Sequence, residues 1–449
     1  MSKVITAHCY QSRPQESATG EVQVVPGGGE MVRVNVNELK LPVGYGFEFE
    51  GERVRENDLY LECGGGRTPM VELVTSKPMS EVVDGSVEVI GPELSDLPSK
   101  SLLPMAIVVE VAGRNFEVDY EPVLERQVHH FVNYIQGVVH TGQRDVAGLR
   151  ISQKAFDKGF MISHLGTVLH ARLHQYFGRI FDKVQVKIYT GAATDRESQS
   201  QAKAIYTKRD ARIESMTDET TDVFYSCTIC QSLCPSHVCI ISPERSGMCG
   251  SYNWMDCKVA HEINPIGPNQ PVHKGKVIDT TLGQWSGVNE CLNKASYGKI
   301  DHYNLYSLVN DPATNCSSCE AIAAVLPKCN GFMTAGRDFV GMTPSGMKFG
   351  PLVEITAGVS TPGFTGHGKY NITQRKFLLA DGGILRLVWM PAKLKEEIGE
   401  RFKARSAELG IPDLLDRVAD ENIGSTEEEI LPFLMEKKHP ALAMSPVIG

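Results

Sequence analysis

The chain has 449 residues, enough for two or three domains that each bury a core. A formal charge of −9 excludes nucleic acid and anionic membrane surfaces as principal partners. The longest apolar run, Leu102 to Val111, already contains Pro104 and Glu110, and the N-terminus lacks a signal-peptide core, so the reading is a cytoplasmic protein with no membrane span.

Residues 1–30, with the Gly27-Gly28-Gly29 run, read as a leader. Short strands are expected at Met31–Val36, Tyr60–Cys63, Ser86–Ile90 and Met105–Val111, separated by Gly, Pro and Asp turns. The stretch Tyr120 to Thr141 is mixed, with a helical start at Pro122. Apolar residues then recur at helical spacing from Ile151 to Asp182, and Val184–Tyr189 follows as a strand. Helix and strand alternate, which makes residues 31–199 a mixed α/β domain. A polar, helix-prone segment from Glu197 to Thr221 leads into a second mixed α/β domain, residues 200–400, which carries the cysteines. Strands are expected there at Lys276–Asp279, Gly331–Ala335, Phe377–Leu379 and Ile384–Trp389. Helices follow over Ala392–Leu409, Asp413–Val418 and Ser425–Glu436, and residues 401–449 form a C-terminal helical extension. The fold class is α/β, mixed α+β.

Five of the twelve cysteines lie between Phe224 and Trp254. Four of them, Cys227, Cys230, Cys239 and Cys249, read C-x2-C-x8-C-x9-C, with Cys234 between. Two thiolates two residues apart can grip one metal from a single turn, and Pro235, Pro243, Gly247 and Gly250 bend the chain around a centre. A structural zinc site, an iron–sulfur cluster and buried cysteines without metal all meet this spacing. In a reducing compartment, ligands or reactive thiols are favoured over disulfides. A second pair, Cys316 and Cys319 in N-C-S-S-C-E, suggests a further metal, and soft thiolates favour nickel, copper, zinc or iron.

The segment C-T-I-C-Q-S-L-C-P-S-H-V-C-I-I-S-P-E-R-S-G-M-C-G-S-Y-N-W resembles the metal-binding segment of acetyl-CoA synthase, the β subunit of the archaeal acetyl-CoA decarbonylase/synthase complex. I-N-P-I-G-P-N-Q-P-V, Q-W-S-G-V-N-E, R-D-F-V-G-M-T-P-S-G-M, T-P-G-F-T-G and A-D-G-G-I-L-R-L-V-W-M-P continue the likeness, which covers residues 30–400. It is to the shorter archaeal form, without the N-terminal domain that docks carbon monoxide dehydrogenase in bacterial enzymes. The resemblance implies synthesis or cleavage of acetyl-CoA from carbon monoxide, a methyl group carried by a corrinoid iron–sulfur protein, and coenzyme A. It implies a [4Fe–4S] cluster on Cys227, Cys230, Cys239 and Cys249, with the Cys230 sulfur bridging to nickel. Carbon monoxide dehydrogenase and the corrinoid protein are the implied partners.

The family's second motif is Cys-Gly-Cys, which wraps nickel in a square plane. Here Cys316 matches the first Cys, Ser317 the Gly and Ser318 the second Cys, while Cys319 falls where the family has an aromatic residue. An i, i+3 pair encloses one more peptide unit than i, i+2 and suits a tetrahedral ion. The expectation is therefore one second metal on Cys230, Cys316 and Cys319, with Ser318 uncoordinated and these three as the catalytic cysteines. The alternative is a homologue that keeps the cluster but not dinickel chemistry, acting in electron transfer or metal handling.

Arg144 and Arg150, in H-T-G-Q-R-D-V-A-G-L-R, are candidates to hold the diphosphate of coenzyme A; salt-bridged surface residues are the simpler reading. His237 reads as a satisfied loop histidine. His170 and His174 share a helix face but lack the carboxylate of an H-E-x-x-H pattern, so they read as helix-surface groups or phosphate partners. Arg337 and Asp338 read as an internal ion pair, and Trp254, Trp285 and Trp389 as core. No G-x-G-x-x-G or Walker sequence is present.

Overall fold

The run Met-Ala-Ile-Val-Val-Glu-Val-Ala at residues 105–112 is too uniformly apolar for a strand with one wet face. In the computed structural model it is a central strand, buried along nearly its whole length. The structure describes residues 40–448, apart from residues 51, 66, 142, 143, 145, 146, 195, 251 and 318. The leader, the strand expected at Met31–Val36 and Ser318 lie outside the described residues. Two compact units divide the chain between Ser215 and Met216, and both are mixed α/β.

The first unit holds strands β1 (Leu59–Gly64), β2 (Met70–Ser76), β3 (Val87–Ile90), β4 (Ser101–Leu102) and β5 (Met105–Ala112). Helix α1 (Glu121–Asn133), β6 (Val138–Thr141), β7 (Gly148–Ser152), α2 (Gln153–Asp157), α3 (Ser163–Phe177), β8 (Lys183–Thr190) and α4 (Arg196–Ser215) follow. One sheet runs β2-β5-β8-β3 and the other β4-β1-β7-β6. α3 packs on β8 and β3, and α1 and α4 pack on β2. The helical spacing read from Ile151 onward is interrupted: the Ser152 hydroxyl accepts from the Ala155 N–H to start α2, and Gly159 at φ +91 stops it. α3 starts where Glu93 accepts the N–H groups of Ile162 and Ser163, a carboxylate at the positive end of a helix. The polar stretch that forms α4 is anchored by Ala202, Tyr206 and Arg209, three residues on one helical stripe.

The second unit contains β9 (Val223–Cys227), β10 (Cys239–Ile241), α5 (Trp254–Ile263), β11 (Asn269–His273), β12 (Val277–Asp279), β13 (Gln284–Trp285) and α6 (Ser286–Ala295). Then come β14 (Ala321–Leu326), β15 (Gly331–Gly336), α7 (Phe349–Thr356), β16 (Phe364–His367), β17 (Leu387–Trp389), α8 (Ala392–Glu408), α9 (Leu414–Arg417) and α10 (Glu427–Glu436). Its sheets run β10-β9-β11 and β16-β14-β15-β17, with β12 and β13 as a separate ribbon. The strand expected at Phe377–Leu379 is absent. Leu378 takes φ +46 and Leu379 opens a 3-10 turn, a left-handed step that no strand accommodates. The front half of Ile384–Trp389 is likewise a 3-10 turn. Ala-Ile-Ala-Ala-Val-Leu at 321–326 is a strand buried on both faces, although alanine favours helices. Among the described residues, no helix is long and apolar enough to cross a membrane.

Candidate metal centre

The cysteine-rich segment is built on the antiparallel pairing of β9 and β10. Cys227 ends β9, Cys239 begins β10, and the two lie in direct register, so the eleven residues between them form a loop hung from one cross-strand pair. Cys230 sits in a short 3-10 turn, Ile229–Ser232, and its carbonyl accepts the N–H groups of Leu233 at 3.0 Å and Cys234 at 2.9 Å. Cys249 stands in a tight turn in which the Gly250 N–H reaches the Gly247 carbonyl at 2.9 Å. Gly250 has φ +70, and a Cβ there would meet the Glu320 carboxylate at 2.1 Å, so only glycine fits.

A second loop is tied to this one. The Glu320 N–H donates to the Met248 carbonyl at 2.7 Å, and the Glu320 carboxylate accepts the Lys369 N–H at 2.9 Å. This brings the residues before β14 against the cysteine turns. The Cys316 thiol is hydrogen-bonded to Cys230. Asn315 fixes the start of the loop by accepting the Gly366 N–H and donating to Thr356. Cys319 packs over Gly366 of β16, where a Cβ would lie 2.8 Å from the Cys319 Cβ and 3.2 Å from its Sγ.

Electrostatics join the six sulfurs into one group. Burial pushes the Cys227 thiol well up, and the neighbouring Cys239, Cys249 and Cys230 push it further. The hydrogen bond to Cys230, then burial, then the charges of Cys230, Cys319 and Cys239 drive Cys316 far upward. Burial raises Cys319 to about 12 against the opposing pull of Arg337. Such thiols are inert donors until a cation compensates the crowded negative charge, and a soft metal does so. The surroundings suit ligands: the Ile229 N–H points at the Cys227 sulfur, while the Met248 N–H and the Arg245 guanidinium point at that of Cys239. Among the described residues, no three of these sulfurs lie within 4.8 Å of one another. Thiolates on one ion at about 2.3 Å would stand roughly 3.8 Å apart, so neither the four-cysteine set nor Cys230, Cys316 and Cys319 is drawn in to the spacing of ligands on a single ion.

One neighbour, Arg245, was not singled out by sequence. Arg245 is buried beside Cys239, and its position inside the cysteine run was the signal available. Cys257 on α5 is fully buried next to Cys227 and Cys239 and accepts a hydrogen bond from Asn269 at 3.2 Å. Arg337 is not paired with Asp338: it donates to the carbonyls of Cys319 (2.8 and 3.0 Å) and Ser317 (2.9 Å), and Asp338 pairs with Lys393. That replaces the expected ion pair with a clamp on the second cysteine loop. His237 is buried and hydrogen-bonded to Thr314 at 3.0 Å. Trp285 and Trp389 are core, whereas Trp254 is half-buried.

The first unit carries a cavity of about 610 Å³ lined by Arg53, Val54, Arg55, Glu62, Cys63 and Arg150, among others. Arg150 donates to Glu62 at 3.1 Å. Arg144 does not line this cavity; its guanidinium meets Glu125 at 3.0 Å and lies 5.0 Å over the Tyr206 ring.

Residues 206–448 match the family model for the C-terminal part of the ACS/CODH beta subunit, and residues 41–194 match that for the beta subunit of the CO dehydrogenase/acetyl-CoA synthase complex. The chain is 47% identical over 419 residues to the carbon monoxide dehydrogenase/acetyl-CoA synthase subunit alpha of Moorella thermoacetica, covering 93% of this chain and 58% of that protein. It is 37% identical over 404 residues to the acetyl-CoA decarbonylase/synthase complex subunit beta of Methanopyrus kandleri, covering 90% of this chain and 85% of that one. The solved C-terminal domain of an acetyl-coenzyme A synthase alpha subunit is 51% identical, covering 30% of this chain and all of that domain with a TM-score of 0.29. The chain spans little more than half the length of the Moorella relative.

Proposed function

Because the chain belongs to the β-subunit family of the carbon monoxide dehydrogenase/acetyl-CoA synthase complex, we propose that it makes or cleaves acetyl-CoA from carbon monoxide, a corrinoid-borne methyl group and coenzyme A. The observation that carries this reading is the convergence of buried Cys227, Cys239, Cys316 and Cys319 with half-buried Cys230 and Cys249 in one thiol group. Cys227, Cys230, Cys239 and Cys249 would hold a [4Fe–4S] cluster, and Cys230, Cys316 and Cys319 would hold nickel beside it. When bound, that group supplies an open metal position for joining carbon monoxide to a methyl group.

The protein's own part is to hold and shield. Buried Arg245 and the Arg337 clamp offset negative charge on the sulfurs and on their loop. The surrounding apolar core, with Met248, Tyr252, Phe349 and Leu352, keeps water from the thiols. In the first unit, Arg53, Arg55 and Arg150 face one cavity, and guanidinium groups suit a diphosphate. The corrinoid protein and carbon monoxide dehydrogenase are the proposed partners.

A second reading rests on one departure. Serine at 318 removes a thiolate from the position where the family has its second nickel cysteine, and a hydroxyl is a poor soft-metal donor. The cluster would then serve electron transfer or metal handling without dinickel chemistry. Anaerobic metal quantification combined with exchange of labelled carbon monoxide into acetyl-CoA separates the two. About four irons with nickel and measurable exchange supports the synthase reading. Iron with neither nickel nor exchange after nickel loading supports the second.

A further inference from the structure

The pair His170 and His174 stands one helical turn apart on α3, with ring centroids separated by 4.7 Å. Neither has an acidic neighbour at helical spacing. The carboxylate comes from a turn 86 residues earlier in the chain: Asp84 Oδ1 lies 3.1 Å from His170 Nε2 and 2.7 Å from His174 Nε2. We propose that Asp84, His170 and His174 form a site for a divalent first-row cation of the zinc class, separate from the cysteine centre and independent of the activity proposed above.

The geometry is set by backbone contacts that need no ion. The Val184 N–H donates to Asp84 Oδ1 at 2.9 Å, and the Gly85 N–H returns to the Val184 carbonyl at 3.0 Å. Gly85, at φ +78, allows the turn that presents the carboxylate to the helix. The Phe181 ring lies edge-on to His174, with centroids 5.2 Å apart, and holds that imidazole toward Asp84. The three donor atoms all lie within 4.8 Å of one another. Around a tetrahedral zinc with ligand bonds of about 2.0–2.2 Å, donors stand roughly 3.3–3.5 Å apart. Occupancy thus requires the Asp84–His174 contact to open by about 0.6–0.8 Å and the Asp84–His170 contact by about 0.2–0.4 Å, with both Nε2 atoms as unprotonated donors.

Two imidazoles and a carboxylate are borderline and hard donors, matched to zinc, cobalt or iron(II) rather than to the soft thiolate chemistry of the other centre. Three protein ligands leave a position for water. The side chains of His170, His174 and Asp84 are 8%, 14% and 28% exposed, so an ion and a chelator both reach the site from solvent. A bound ion would pin α3 to the turn before β3 and raise the stability of this unit, since the folded state alone assembles the ligands.

The test uses the full chain with its cysteine centre loaded, stripped of loosely held ions by a mild chelator that leaves iron in place. Zinc chloride alone is then titrated into the parent, Asp84→Asn and His170→Ala/His174→Ala. The parent should take up one zinc equivalent more than the double variant, Asp84→Asn should bind it at least tenfold more weakly, and iron content should not differ. Asp84→Asn preserves the hydrogen-bonding shape, so it keeps the test meaningful if the double variant folds poorly. Cobalt in the same site should give weak visible bands that are absent from Asp84→Asn. Equal zinc uptake by parent and Asp84→Asn, or no difference in the cobalt spectrum, would show that the three residues are a hydrogen-bonded clasp and overturn the proposal.

Discussion

Single residues decide how the thiol group is held. Cys227 and Cys239 face each other across two paired strands, so neither is replaceable from a neighbouring position. Cys227→Ala or Cys239→Ala should abolish iron–sulfur absorbance and destabilise the second unit, because metal binding and local folding are coupled. Full iron content in either variant would remove that residue from the ligand set. Gly366 acts differently. A Cβ there would meet Asn315 Oδ1 at 2.3 Å and the Cys319 Cβ at 2.8 Å, and Asn315 is itself anchored to β16 and α7. Gly366→Ala should displace Cys319 at a cost of about 1–3 kcal/mol. Nickel should fall while iron is retained, as read by metal analysis of parent and variant side by side. A loss of both metals together would mean that Cys319 belongs to the cluster cage.

At the scale of elements, the end of the chain is tied into the second unit by a buried histidine. His439 follows α10, donates through Nε2 to the Leu387 carbonyl at 3.0 Å, and accepts the Ala441 N–H through Nδ1 at 3.2 Å. Both nitrogens are committed to the neutral ring, and burial lowers its pKa from 6.5 to about 4. The unfolded chain therefore binds a proton between these values that the folded chain refuses. The contribution is fully present above pH 6.5 and is lost as pH falls toward 4, amounting to about 3 kcal/mol over that window. The denaturant midpoint should drop over this range, and His439→Gln should flatten the dependence; an unchanged slope in the variant would assign the acid sensitivity elsewhere. Helix α4 gives a parallel case. Its Arg209 is buried against Glu121 and Glu125, an ion network whose removal on one side leaves uncompensated charge.

At the scale of the whole molecule, two compact units carry separate equipment. The cavity lined by Arg53, Arg55 and Arg150 together with Glu56 and Glu62 belongs to the first and the thiol group to the second. Arg53→Gln/Arg150→Gln should weaken coenzyme A binding at least tenfold, since each charge-assisted phosphate contact is worth about 1.5–3 kcal/mol. Iron content should not change. Calorimetry with coenzyme A checks this, and unchanged affinity would take the diphosphate out of that cavity. Arg144 makes a useful control, because its guanidinium is engaged by Glu125 and Tyr206 and its neutralisation should act on stability before affinity.

The sequence by itself determined the mixed α/β class and the thiol-rich segment, because strand and helix periodicities and C-x2-C spacing are local properties; the family came from the resemblance of whole motifs and not from spacing. Helix α8 was legible for the same reason. Ala321–Leu326 was not, since its alanines favour helix until sheet neighbours bury both faces. Phe377–Leu379 misled because three apolar residues do not reveal a left-handed backbone step. What only the tertiary structure decided are partnerships across long stretches of chain. The register of Cys227 with Cys239, the hydrogen bond between Cys316 and Cys230, and the clamp of Arg337 on the loop before β14 all depend on strand pairing. The carboxylate that His170 and His174 lacked in sequence arrives from Asp84 through the turn that precedes β3. Spacing along a chain fixes which residues share a turn, whereas a site assembled from separate turns exists only after the sheets between them have formed.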